Sequence, residues 1–280
     1  MPHKKEDEIN LLNLIRIATN AGTEILGVYD SEDIALETKA DDSPLTLADK
    51  KSHEVIAASL QKEYPTIPLL SEEGTHLPYH ERKEWDYFWV VDPLDGTKEF
   101  VKRNGEFTVN IALVHKNVPL IGVIYVPVWD TVYFVKKGLG AYKLENCKEV
   151  LAKEAGSFQE KAEKLPLAQE RKGLNVVASR SHMSEDTKQF VKELEKEAEE
   201  VNIVSAGSSL KLCLVAEGKA DVYPRFAPTM EWDTAAGHAI VEEVGGKVTK
   251  QDGTPLLYNK EELINPWFIV ERTKENIGIK

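Results

Sequence analysis

Two α/β lobes in series are what this 280-residue chain predicts, and three observations carry the prediction. Residues 87–136 are dense in short apolar runs broken by turn residues, the texture of consecutive strands. From residue 174 onward such runs alternate with amphipathic stretches, the pattern of a mixed sheet flanked by helices. The length sits at the upper end of what one core supports, about two units at roughly 150 residues each. An N-terminal α+β lobe over 1–150 and a C-terminal α/β lobe over 151–280 are therefore expected.

The elements follow in order. From Glu8 to Val28 the apolar residues Leu11, Leu14, Ile15, Ala18 and Ile25 recur near the helical period and predict a first helix. A second runs from Ala48 to Glu63, with Ile56, Ala57 and Leu60 on one face, and Pro65 stops it. Tyr87–Val91, Phe107–Val114, Leu120–Val126 and Thr131–Lys136 read as strands, punctuated by turns at Asn104-Gly105 and Asn117-Val118-Pro119. Cys147 to Lys172 is rich in Lys, Glu and Ala with weak periodicity and reads as surface excursions. Strands are then expected at Leu174–Ala178, Val201–Ser205, Ala220–Tyr223, Lys247–Thr249 and Trp267–Val270. Helices are expected at Ser184–Glu199, Ser208–Glu217 and Asp233–Val244.

Composition narrows the function classes. The net charge of −12 argues against a nucleic-acid groove or an anionic membrane surface as partner. A small anionic substrate remains compatible, because a bound divalent metal inverts the local field. The two cysteines, Cys147 and Cys213, form neither a disulfide framework nor a zinc motif, so oxygen ligands are expected for any metal. Met1 to Asn10 lacks an apolar h-region, and Val118 to Trp129, the longest apolar run, is too short and proline-interrupted to span a membrane. A cytoplasmic protein is expected. Cys213 reads as a small buried hydrophobe, and Trp85, Trp89, Trp129 and Trp267 as core or interface packing.

The densest chemistry is Val90-Val91-Asp92-Pro93-Leu94-Asp95-Gly96-Thr97. An apolar strand ends at Asp92, a turn follows, and a second carboxylate comes three residues later. The N–H groups of Gly96 and Thr97 are placed to open a helix and meet a phosphate oxygen. Upstream, Leu69-Leu70-Ser71-Glu72-Glu73-Gly74 places carboxylates after another apolar run; downstream, Glu231-Trp232-Asp233-Thr234-Ala235-Ala236 sets Asp233 at a helix start. Carboxylates converging without Cys or His select Mg²⁺ or Mn²⁺, and a pair of such ions can clamp both oxygens of a phosphoryl transfer. Taken singly, Asp92, Asp95 and Asp233 are equally well explained as turn and helix caps; the whole string is far harder to explain that way.

That string, with Glu72 before it and Trp232-Asp233-x-Ala-Ala near the end, resembles the lithium-sensitive inositol monophosphatase superfamily, over nearly the whole chain. The resemblance implies an αβαβα layered sandwich and hydrolysis of small phosphate esters. It implies that Glu72, Asp92, Asp95 and Asp233, with the Leu94 carbonyl, hold two or three Mg²⁺ ions, with Li⁺ inhibitory. It also implies that Asp49, closing Asp42-Ser43-Pro44-Leu45-Thr46-Leu47-Ala48-Asp49, orients or deprotonates the attacking water together with Glu72 and Thr97. Read from the residues alone, Thr46 to Asp49 is equally a helix cap.

Three further segments bear on the substrate: Ser179-Arg180-Ser181-His182 after a strand, Gly207-Ser208-Ser209-Leu210-Lys211 opening a helix, and Tyr223-Pro224-Arg225 after another strand. Ser208 and Lys211 can grip a phosphate, Arg225 can do so bidentately, and His182 can stack on a base or bond a phosphate. Singly, each is also explained as a cap, a solvated cation or a loop residue. Together they resemble the 3′(2′),5′-bisphosphate nucleotidases, most closely the bacterial CysQ type. The implied substrate is adenosine 3′,5′-bisphosphate or PAPS, contacted by Glu72, Leu94, Asp95, Gly96, Thr97, His182, Ser208, Lys211, Arg225 and Asp233, in a monomer or homodimer. The rivals are an inositol monophosphatase or sugar bisphosphatase on the same scaffold and, from another class, a catalytically silent nucleotide-binding regulator.

Overall fold

The computed structural model describes residues 5–31, 37–38, 44–153, 155–167, 172–178 and 183–273. Helix α1, Leu11–Tyr29, begins later than the periodicity suggests, because Asn10 Oδ1 accepts the Leu12 and Asn13 N–H groups and caps it. Helix α2 spans Leu47–Glu63. Strands β1 (Leu69–Ser71) and β2 (Tyr87–Asp95) lead through a short helix α3 (Thr97–Val101) to β3 (Thr108–His115), β4 (Val118–Val126), β5 (Thr131–Lys136), β6 (Gly140–Leu144) and β7 (Glu163–Lys164). These form one seven-stranded sheet in chain order, β1–β2 parallel and the remaining pairs antiparallel.

The second sheet is built from β8 (Leu174–Val177), β9 (Val201–Val204), β10 (Val222–Arg225), β11 (Lys247–Lys250) and β12 (Phe268–Glu271), in the order β9-β8-β10-β12-β11. Helices α4 (Glu185–Glu197), α5 (Leu210–Glu217) and α6 (Glu231–Glu243) accompany it. The expected surface excursion at Cys147 to Lys172 instead holds a helix, Cys147–Lys153, and edge strand β7. Strand β6 lies where no strand was expected, since its Lys143 and the flanking glycines interrupt the apolar pattern.

Packing stacks these elements as αβαβα. Trp89, Val91, Ile111, Leu113, Ile121, Val123 and Tyr125 face α1 and α2 in one core. The alternate residues Phe88, Val90, Ala112, Val114, Ile124 and Val126 join α5, α6 and the second sheet in another. Both faces being covered explains why these strands read as unbroken apolar runs. Val176, Val191 and Val222 seat α4 on the outer face of the second sheet. Helix α6 is thus the middle layer. It lies so close to β4 that a Cβ on Gly122 would fall 2.4 Å from the Ala236 carbonyl oxygen, so no larger residue fits there. Trp89 is fully buried, as the core alternative expects, whereas Trp129 and Trp267 are 48% and 38% exposed and do not lie in the core. Among the described residues no helix is long and apolar enough to cross a membrane.

Candidate active site

The site grows from the end of β2. Asp92 pairs with Asn110 and Asp95 with Thr108, so three steps on β2 match two on β3. The extra residue is a bulge at Pro93-Leu94, a place where a strand tolerates proline. On a regular strand, side chains three apart point to opposite faces; the bulge returns Asp95 to the side of Asp92. Ser52 Oγ donates to the Pro93 carbonyl at 2.7 Å and the Leu94 N–H to Asp92 Oδ1 at 3.0 Å, which fixes the kink. Gly96 then turns the chain at φ +93°; a Cβ there would also lie 3.1 Å from Ser208 Cβ and 3.2 Å from the Glu106 carbonyl oxygen.

Helix α6 brings Asp233 to the same point. Among the described residues, carboxylate oxygens of Asp92, Asp95 and Asp233 lie within 4.8 Å of one another. Asp92 is buried, while Asp95 and Asp233 are partly exposed. Glu72 follows β1, its N–H donating to the Val91 carbonyl at 3.1 Å, and its carboxyl is close enough to share a hydrogen bond with Asp92. Burial, and then the charges of Glu72, Asp95 and Asp233, push Asp92 well above the usual carboxylate range. Asp233 is pushed up to about 8, first by burial and next by Asp95; Arg225 opposes this, the weakest of these influences. Carboxylates crowded at this cost, with oxygen the sole donor type, fit a hard divalent cation.

Asp49 and Asp233 share a local device. Each occupies the third position of its helix and gives one oxygen to the cap. Thr46 N–H and Oγ1–H reach Asp49 Oδ2 at 2.7 and 2.6 Å, and the Met230 N–H reaches Asp233 Oδ2 at 3.0 Å. The capping explanation of Asp49 is therefore realised in the fold. Its other oxygen, Oδ1, lies 3.4 Å from Thr97 Oγ1, which is also 3.4 Å from the Leu94 carbonyl oxygen.

Beyond the carboxylates the surface turns cationic. A small cavity of about 50 Å³ has Asp95, Asp233, Ser208, Lys211 and Arg225 in its walls. Next to it a cavity of about 420 Å³ is lined by Lys102, Lys211 and Arg225 and by Glu99 and Glu106, with Tyr223 among its other walls. Lys211 Nζ donates to the Ser208 carbonyl at 2.9 Å, and Arg225 Nη2 to the Pro228 carbonyl at 3.0 Å, while the buried Arg225 Nε has no protein acceptor. Ser208 is not a helix cap: it is held at φ +45°, and Ser209 takes the N-cap position of α5. His182, with Ser179, Arg180 and Ser181, lies outside the described residues.

The fold thus brings Glu72, Asp92, Leu94, Asp95, Gly96, Thr97, Asp49 and Asp233 to one point, and sets Ser208, Lys211 and Arg225 beside it. Two residues not singled out from the sequence join them. Ser209 Oγ lies 2.7 Å from Asp95 Oδ2, and Asn110 Nδ2 donates to Ser209 Oγ at 2.8 Å. The one signal for Asn110 was a polar side chain inside an otherwise apolar strand.

A carboxylate cluster at the bulged end of a strand, in an αβαβα sandwich, defines a metal-dependent phosphatase scaffold. The chain belongs to the inositol monophosphatase family, whose model matches residues 8–276. It is 44% identical over 260 residues to the 3′(2′),5′-bisphosphate nucleotidase CysQ of Escherichia coli K12, covering 91% of this chain and 96% of that one. The crystal structure of CysQ from Bacteroides thetaiotaomicron superposes with a TM-score of 0.83 at 52% identity, covering 93% and 96% of the two chains. The extragenic suppressor protein suhB of Bartonella henselae, at 23% identity and a TM-score of 0.73, shares the fold.

Proposed function

We propose that this chain is a Mg²⁺-dependent 3′(2′),5′-bisphosphate nucleotidase that hydrolyses adenosine 3′,5′-bisphosphate to AMP and phosphate, and PAPS to APS. The observation that carries the reading is a small cavity whose walls hold Asp95 and Asp233 together with Lys211 and Arg225. A substrate with one phosphate needs the carboxylates alone, whereas a bisphosphate uses both kinds of group. The nucleotidase name of the 44% identical relative supports the same substrate class.

Glu72, Asp92, Asp95 and Asp233, with the Leu94 carbonyl, would hold two or three ions. When bound, Mg²⁺ supplies Lewis acidity that activates a water and stabilises the departing 3′-oxygen. The chain's own groups do the rest. The Thr97 hydroxyl holds the attacking water in line with the 3′-phosphorus, and Asp49 Oδ1, beside Thr97, takes its proton. The other Asp49 oxygen is committed to the helix cap and keeps the acceptor oriented. Gly96 N–H and Ser208 meet the transferring phosphate. Lys211 and Arg225, both in the walls of that cavity, take the 5′-phosphate. His182 completes the nucleotide contacts in this reading. Mn²⁺ substitutes for Mg²⁺, Li⁺ inhibits by displacing one ion, and the enzyme works in the cytoplasm as a monomer or homodimer.

The test is phosphate release from adenosine 3′,5′-bisphosphate with Mg²⁺, with and without Li⁺, beside inositol 1-phosphate. Lithium-sensitive turnover of the nucleotide with slow turnover of the inositol ester is expected. Preferential turnover of inositol 1-phosphate would discard the roles given to Lys211 and Arg225.

A further inference from the structure

Ser209 occupies a helix N-cap position yet makes no side-chain cap bond. A serine there ordinarily accepts an N–H from the first helical turn. Here the hydroxyl is diverted. It is 1% exposed and lies 2.7 Å from Asp95 Oδ2 and 2.8 Å from the Asp233 carbonyl oxygen, and it accepts from Asn110 Nδ2 at 2.8 Å. Asn110, also 1% exposed, sits directly across the strand pair from Asp92. Its own carbonyl oxygen accepts from Thr108 Oγ1 at 3.0 Å, which orients the amide so that its NH₂ faces Ser209. Its NH₂ is also 3.5 Å from Asp95 Oδ2.

A hydroxyl has one proton to give. With Asn110 supplying the bond it accepts, that proton goes to Asp95 or to the Asp233 carbonyl, and the charged acceptor makes the stronger bond. One buried side chain therefore orients Asp95 at the bulge of β2 from a position in contact with the first turn of α6, which carries Asp233. Occupying Asp95 Oδ2 also restricts rotation of that carboxylate and leaves Oδ1 as the oxygen for a cation.

We infer that Ser209, itself oriented by Thr108 and Asn110, is a positioning residue that presets the Asp95 carboxylate, beside Asp233, for the metal. The inference rests on the ligand reading proposed above and adds to it a shell supplied by the loop that also carries Ser208. Outer-shell hydrogen bonds of this kind change metal affinity by about 10- to 100-fold when removed.

The experiment measures Mn²⁺ binding to the full-length protein by calorimetry, without substrate, alongside the Mg²⁺ dependence of turnover and the melting temperature of the metal-free form. Ser209→Ala should bind Mn²⁺ about 10- to 100-fold more weakly, need correspondingly more Mg²⁺ for half-maximal turnover, and recover most of its kcat at saturating Mg²⁺. Asn110→Ala should move in the same direction, and decides the question should Ser209→Ala fail to fold. Wild-type Mn²⁺ affinity in a folded Ser209→Ala protein overturns the inference. Asp95→Asn, measured in parallel, separates the two levels: if it loses Mn²⁺ while Ser209→Ala does not, the ligand reading stands and the positioning role falls. If Asp95→Asn binds Mn²⁺ like the wild type, both fall.

Discussion

Two regions of this molecule bury carboxylates, and they do so in opposite ways. At the far side of α6, Glu231 is fully buried and accepts from the Asn259 and Lys260 N–H groups at 2.7 and 2.9 Å and from Lys260 Nζ at 2.6 Å. Glu217, equally buried, is met by Tyr133, Lys143 and Lys219. At the β2 bulge, Asp92, Asp95 and Asp233 are set against one another, with Glu72 adding a further like charge. A carboxylate answered by protein cations and N–H groups holds the fold together. A set in which like charges crowd one another points to a charge from outside the chain, because that mutual repulsion is costly to keep without use. The two kinds lie on one helix, with Glu231 and Asp233 two residues apart.

The sharpest way to break this contrast is substitution within it. Asp95→Asn and Asp233→Asn should each lower turnover at saturating Mg²⁺ by at least about 1,000-fold, roughly 4 kcal/mol, while the metal-free melting temperature holds or rises as repulsion is relieved. Glu231→Ala should do the reverse to the fold, costing about 3 kcal/mol by stranding Lys260; urea unfolding of the three variants checks both halves. A drop in stability for Asp233→Asn equal to that for Glu231→Ala would erase the distinction.

A smaller effect sharpens it through pH. Asp233 ionises near 4 in an unfolded chain and only at about 8 in the metal-free fold, and Asp92 moves the same way. The folded form therefore keeps protons that the unfolded chain has released, so its stability falls as pH rises from about 4 to about 8. In the proposed reading a bound divalent cation replaces those protons. The rise in Tm on adding Mg²⁺ should accordingly be larger at about pH 8.5 than at about pH 6, which differential scanning calorimetry at the two values reads directly. Asp95→Asn should flatten the difference.

The smallest effect probes the cationic side of the cavity. Lys211→Met and Arg225→Met should raise KM for adenosine 3′,5′-bisphosphate by about 10- to 100-fold, the worth of one or two charge-assisted hydrogen bonds, with turnover of inositol 1-phosphate unchanged. Equal losses on both substrates would assign these cations to the carboxylate centre instead.

Glu72, Asp92 and Asp95 were legible in the sequence because they follow apolar runs, where a change of texture marks the end of a strand, and Asp233 because it opens a helix. The bulge that brings Asp92 and Asp95 to one side was not, since alternation along Val90 to Asp95 predicts opposite faces, and only the register against β3 reveals the extra residue. Thr46 and Asp49 read equally well as a cap or as chemistry, and the geometry accommodates both by dividing the two oxygens. Ser209 and Asn110 lay beyond reach, being 99 residues apart in sequence, the one beside Ser208 in a motif and the other inside an apolar strand. Strand β6 escaped because Lys143 and the neighbouring glycines break the apolar pattern.

The place of α6 has a consequence for how the protein comes into being. As the middle layer it is packed against β4 through Gly122 on one side and against the second sheet on the other, and it carries Asp233. On the ribosome, Asp92 and Asp95 emerge long before Asp233, and β11, which packs against α6, emerges later still. A nascent chain thus holds an incomplete acidic cluster through most of its synthesis. The acidic cluster is assembled from distant parts of the chain, and it is complete only in the folded protein.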